Sequence, residues 1–174
     1  AGGARRGAVP HQRDAVGAVT RVLLVTGSRS LALHPGAEAW ARGLIHAALV
    51  GADLLIVGDA PGPDAWAVEI ASSHDVCVRR YDTRGIHAGW IVQQEHALWC
   101  RMDQWATPAM QGRRYPLHRN AAMVRDVTTI AMRRDASARA LALIDPASET
   151  KGTEHTAGLA VRAGLTVQRE VWNG

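Results

Sequence analysis

Short apolar, β-branched runs alternate along this chain with stretches of helical period, and glycine-bearing loops join the two. Val22-Leu23-Leu24-Val25 reads as a buried strand closed by the turn Thr26-Gly27-Ser28, and residues 37–50 carry Trp40, Leu44, Ile45 and Leu49 at helical spacing before Gly51 ends the helix. The unit then repeats. Leu54-Leu55-Ile56-Val57 is a second strand, residues 58–63 a Gly/Pro loop, and Asp64 a cap for a helix reaching about residue 73. Val76-Cys77-Val78 is a third strand and residues 140–144 a fourth; a polar loop over 145–152, a helix over 153–163 and a last strand over 166–171 follow. Strands too short and too apolar to have a wet face, each returning through a helix, specify βαβ units. The expected fold class is therefore α/β: a Rossmann-like parallel sheet with helices on both faces.

The segment between the third and fourth runs alternates less cleanly. Residues 91–102 predict one helix, with Ile91, Leu98 and Met102 on one side, and residues 119–132 predict another, with Met123, Val127 and Ile130 inward. A helical insertion before the fourth strand is the resulting expectation, placed at about 84–103 within a single domain over 21–174. Residues 1–20 have no period and mix Gly, Ala and Arg, which reads as a flexible basic arm.

At 174 residues, 47% hydrophobic and 21% charged, the chain is neither disordered nor fibrous. No apolar run approaches the roughly 18 residues of a membrane span, and the arm lacks the apolar stretch of a secretory signal. The expected location is cytoplasmic, with no membrane partner. Two cysteines, Cys77 and Cys100, are too few for a disulfide framework. The net charge of +4 lies mostly in the arm, where Arg5, Arg6, Arg13 and Arg21 face only Asp14. A second concentration occurs at 101–139, where eight arginines face Asp103, Asp126 and Asp135, giving a candidate anion-facing surface.

Open parallel sheets bind ligands beyond the carboxyl ends of their strands. There the sequence places Gly27, Ser28 and Arg29 after the first strand, Gly58, Gly62 and Asp64 after the second, and Lys151, Gly152 and Thr153 after the fourth. Glycines admit a ligand close to the backbone, hydroxyls donate and cations neutralise, so these loops together describe a phosphate cradle. Arg119 and Asn120 join them: a cation opening a helix is electrostatically misplaced unless an anion sits beside it. The Lys151-Gly152-Thr153 step lacks the spacing of a P-loop. His96 and Cys100 stand four apart, one helical turn, but without a further ligand pair no metal site and no cofactor is assigned. Trp40 and Trp66 read as core, whereas Trp90, Trp99 and Trp105 beside the arginines read as base-stacking candidates.

Val25-Thr26-Gly27-Ser28-Arg29, Gly62-Pro63-Asp64-Ala65, Gly112-Arg113 followed by Arg119-Asn120-Ala121-Ala122-Met123-Val124, and Lys151-Gly152-Thr153 occur in the order seen in the SLOG superfamily. That superfamily joins the Smf/DprA DNA-processing proteins, the Lonely-guy phosphoribohydrolases and small bacterial and phage members, and the chain resembles it over about 21–171. The resemblance implies a nucleotide or nucleotide-derived ligand held by Gly27, Ser28, Arg29, Gly62, Asp64, Arg119, Asn120, Gly152 and Thr153. Where Lonely-guy enzymes carry a glutamate after their glycine-rich signature, this chain has Thr156. If an N-glycosidic bond is hydrolysed, the carboxylate comes from Asp64, Glu149 or Glu154. Two other classes remain open: a single-stranded DNA-binding protein using the arm and the arginine-rich stretch, and an interaction or assembly protein using the arm and the insertion, with a vestigial pocket, that forms a homo-oligomer or a partner complex.

Overall fold

The computed structural model describes residues 19–83, 86–93, 96–104, 115–149 and 151–174, with 86–104 and Tyr115 described by their backbone. Five strands run parallel: β1 (Arg21–Gly27), β2 (Leu54–Val57), β3 (Cys77–Tyr81), β6 (Ser137–Ile144) and β7 (Thr166–Val171). Two more, β4 (Ile86–Gln93) and β5 (His96–Gln104), extend the sheet antiparallel beyond β3, giving the order β5-β4-β3-β2-β1-β6-β7. Among the described residues four α-helices cover it: α1 (Ala37–Leu49), α2 (Pro63–Ser72), α3 (Tyr115–Arg134) and α4 (Gly152–Arg162). The fold is α/β and Rossmann-like.

Successive side chains on a strand point to opposite faces, and both faces here are apolar. Leu23, Val25, Leu55, Val57, Leu141 and Leu143 pack with α1 and α2 on one face. Val22, Leu24, Leu54 and Ile56 pack with Met123 and Val127 of α3 and Ala160 of α4 on the other. Trp66 is buried, and Trp40 packs against the same core with its ring 5.4 Å from Trp172, so both take the core role expected of them. The domain is closed at its amino end by Asp53, whose Oδ2 accepts from the Thr20 backbone at 2.8 Å and from Arg21 at 2.9 Å. Val19 is already buried.

The helix expected over 91–102 is instead a β-hairpin. β4 and β5 pair with Trp90 opposite Trp99, Ile91 opposite Leu98 and Val92 opposite Ala97. Tryptophan, isoleucine and valine favour a pleated surface, so pairing with the open edge of β3 wins over a sparse helical period. The consequence for His96 and Cys100 is direct. Four residues along a strand span about 13 Å, so the one-turn spacing that made them a ligand pair does not exist. The helix expected over 119–132 does form, but it begins at Tyr115. Residues 1–18, Trp105, Gly112, Arg113 and Thr150 lie outside the described residues.

The order of parallel strands reverses at β1, which has β2 on one side and β6 on the other. This switch point needs close approach of chain segments, and Gly27 provides it: a Cβ there would stand 2.3 Å from Cβ of Pro63, the first residue of α2. Gly27→Ala therefore forces β1 and α2 apart. We expect a loss of about 2 kcal/mol in denaturant unfolding, the usual scale of an overpacked core; unchanged stability would show that α2 yields freely.

Candidate functional site

A cleft of about 510 Å³ opens at the carboxyl ends of β1 and β6. Thr26, Gly27, Ser28 and Arg29 form one wall, continuing straight from β1. Pro116 and Leu117 from the first turn of α3, with Arg119 and Asn120 behind them, form the second. Lys151, Gly152, Thr153 and His155 at the start of α4 form the third, and Asp64 of α2 closes the floor. Three helices thus begin around one opening. The first amides of a helix have no acceptor within it, and neither Gly62 before α2 nor Lys151 before α4 supplies a side-chain cap. The positive ends of the helix dipoles gather there.

Asp64 does not cap α2. The cap position is Gly62, at φ 84°, and Pro63 supplies the first helical residue, which leaves Asp64 turned inward and 4% exposed. Its Oδ2 accepts the Ala60 amide at 3.3 Å. Burial pushes the Asp64 carboxyl up to about 6, against the pull of the nearby Arg119 guanidinium and the Ala60 hydrogen bond. Gly58 lies behind this pair, where a Cβ would come within 2.5 Å of Asp64 Oδ2 and 3.0 Å of Arg119 Cζ.

Arg119 sits one turn inside α3 rather than at its opening, because the helix starts four residues earlier than the sequence pattern indicates. It is 6% exposed, and its Nη1 donates to Asp59 Oδ1 at 2.5 Å while Nε and Nη2 donate to Asn120 Oδ1 at 3.3 and 3.1 Å. Asn120 Nδ2 in turn donates to the Gly152 carbonyl at 3.3 Å, tying α3 to the start of α4. Asp59 also accepts from the Thr83 amide at 3.0 Å, so one carboxylate joins the ends of β2 and β3 to the cleft. Asp59 stands beside Gly58 in the loop after β2, a signal the sequence carried but that only the partner across the sheet makes legible.

Ser28 is buried and partly committed. Its amide donates to Leu143 as the β1–β6 ladder runs out, at 2.9 Å, and its hydroxyl accepts the Asp145 amide at 3.1 Å. The hydroxyl proton remains for a ligand, whereas the backbone donors on offer belong to α4. Asp145 is held by His34, Nε2 to Oδ2 at 2.8 Å, which fixes the β6–α4 loop against the β1 loop.

Of the sequence-derived candidates, Gly27, Ser28, Arg29, Asp64, Arg119, Asn120, Gly152 and Thr153 all line the cleft, while Gly58 and Gly62 support it from behind. Glu149 and Glu154 are exposed and do not line it. Thr156 is fully buried and donates to the Gly152 carbonyl at 2.9 Å, so its position carries no acid either. Arg29 and Lys151 make no ion pair among the described residues. Of the described arginines in 101–139, Arg119 enters the cleft, whereas Arg139 donates to the Ala48 carbonyl at the end of α1, at the opposite end of the sheet; Arg113 and Arg114 lie outside the described residues. No helix among the described residues is long and apolar enough to cross a membrane.

No family model and no curated protein matches the chain. Among solved structures it is similar to the X-ray structure of DNA processing protein A (DprA) from Streptococcus pneumoniae, at 13% identity and a TM-score of 0.44, with 86% of this chain and 58% of that one covered. The chain spans less than two thirds of that protein, and a likeness this distant says nothing about function.

The buried Asp64 makes stability depend on pH. Its folded value of about 6 exceeds the ordinary 3.8, so the folded state binds the proton more tightly than the unfolded chain. That contribution is complete below 3.8 and is lost as pH rises through 6, leaving a cost of about 3 kcal/mol at neutral pH. Asp64→Asn keeps the oxygen facing Ala60 without the charge. Its melting temperature should exceed that of the parent at pH 7.5 and converge with it at pH 4; a gap independent of pH would contradict the buried carboxylate.

Proposed function

We propose that the cleft binds a nucleotide or nucleotide-derived small molecule, phosphate toward Arg29, Lys151 and the first amides of α4, and ribose or base toward Asp64 and Asn120. The observation that carries this reading is the imbalance at the opening. Arg29 and Lys151 face the cleft without ion-pair partners among the described residues, beside helix starts that have no side-chain caps, while the buried cation lining it, Arg119, is paired with Asp59. A site arranged in this way is short of anions at its mouth, while the cation at its floor already has a partner. The order of motifs shared with the SLOG superfamily supports the same ligand class.

Asp64 favours a second step on that ligand. It is the one carboxylate lining the cleft among Asp64, Glu149 and Glu154, and a carboxyl held near 6 can exchange a proton close to neutral pH. N-glycosidic hydrolysis therefore rests on Asp64 alone. Binding of single-stranded DNA has weaker support, because Arg119 and Arg139, two of the arginines that suggested a basic path, stand at opposite ends of the sheet.

A thermal-shift panel of nucleoside mono- and diphosphates, cyclic nucleotides and ADP-ribose derivatives tests the reading, since a ligand of the folded state raises its melting temperature. A phosphorylated ligand should raise it by several degrees, and the unphosphorylated nucleoside should do little. Arg29→Ala and Lys151→Ala remove exposed, unpaired cations, so each should weaken the shift at least tenfold in ligand concentration while leaving unliganded melting unchanged. Arg119→Ala is a poorer test because it strands Asp59. No shift with any of the panel would overturn the proposal. Release of free base, lost in Asp64→Asn, separates hydrolysis from binding.

A further inference from the structure

α3 and α4 lie side by side on the sheet, and between their outer faces runs a groove of about 390 Å³. Ala121, Val124, Leu159 and Ala163 line it, and Met132, 73% exposed, stands at one end. Two threonines also border it, but their hydroxyls are engaged: Thr128 Oγ1 donates to the Val124 carbonyl and Thr129 Oγ1 to the Arg125 carbonyl, each at 2.8 Å. The groove therefore presents methyl groups where the sequence shows polar residues. Arg125 and Arg162 flank it, both exposed and neither in an ion pair among the described residues, and no carboxylate lines it. An apolar channel between two unpaired guanidinium groups has a definite complement.

We propose that this groove docks an acidic amphipathic helix of another protein, apolar side chains at helical spacing on the floor and carboxylates against Arg125 and Arg162. Charge excludes the occupants closer to hand. A second copy packed groove to groove brings arginines onto arginines. The chain's own segments outside the structure are unsuitable as well: residues 1–18 carry Arg5, Arg6 and Arg13 against Asp14, and residues 105–114 carry Arg113 and Arg114 with no acid. A nucleic-acid backbone meets the guanidinium groups but wants polar partners between them, and the threonine hydroxyls are already bonded within α3. Met132 suits a protein partner, because a flexible thioether adapts to varied apolar surfaces. The groove shares no lining residue with the cleft, so the inference stands whatever the cleft binds.

The test uses a fluorescently labelled synthetic helix with leucines at i, i+3, i+4 and i+7 and glutamates elsewhere, and its twin with lysine in place of every glutamate. The glutamate helix should bind with micromolar affinity by anisotropy, weaken steeply with salt, and protect amides of α3 and α4 from hydrogen exchange; the lysine helix should bind at least tenfold more weakly. The double variant Arg125→Glu and Arg162→Glu alters two exposed positions and should reverse the preference, with its circular dichroism unchanged. Any of four results overturns the proposal: no binding of the glutamate helix up to millimolar concentration, equal binding of the two helices, an unreversed preference in the double variant, or displacement of the bound helix by an oligothymidylate. Sedimentation showing a dimer that the double variant disperses would also overturn it, in favour of self-association.

Discussion

The placement of one buried guanidinium governs the carboxyl edge of this molecule. Arg119 reaches from α3 across the end of the sheet to Asp59 after β2, with Asp64 of α2 close by and Asn120 fixing its other nitrogens. A charge at this depth is tolerable only when it is paired and hydrogen-bonded. The pairing in turn needs room, and Gly58 gives it, since any side chain there would run into both Asp64 and Arg119. The network spans loops that belong to different βαβ units. It therefore locks helices from both faces of the sheet into one arrangement at the edge where a ligand would enter.

Around this paired guanidinium the cations of the rim have no partners of their own among the described residues. Asp59 neutralises Arg119 and leaves Arg29 and Lys151 to whatever enters, while Asp64 is held between charged and neutral states by burial on one side and Arg119 on the other. The rim is cationic and the floor carries a carboxyl of adjustable protonation. That division follows from depth, since exposed cations keep their hydration and buried ones acquire partners. Asn120 and His34 serve the same arrangement at one remove. Asn120 bonds the start of α4, and His34 holds Asp145, so the three walls of the cleft are tied to each other as well as to the sheet.

The opposite face of the α3–α4 layer shows different chemistry built from the same helices. Inward, Met123, Val124 and Val127 fill the core; at the first turns, Arg119 and Asn120 face the cleft; outward, Ala121 and Leu159 border an open channel flanked by Arg125 and Arg162. Neighbouring positions in one segment serve three surfaces because the helical period turns each residue by about 100° from the last. A run of arginines in the sequence is for that reason a poor guide to a basic patch, and Arg119, Arg125 and Arg139 end up on different parts of the molecule.

The sequence alone determined the strands and helices of the parallel core. Runs such as Leu54-Leu55-Ile56-Val57 are apolar on both sides and too short for a helix, so burial between helical layers was their one satisfactory state. It also determined which loops meet, since strand ends of parallel units share one edge. What the tertiary structure decided was everything resting on pairing across the fold. Residues 91–102 became part of a hairpin because the edge of β3 was open to extend, Asp64 became a buried acid because Gly62 and Pro63 took over the start of its helix, and Asp59 gained its role from Arg119, which lies 60 positions away. Local pattern fixes what a segment prefers by itself; the partners that overrule or complete that preference come from distant parts of the chain, and only folding brings them together.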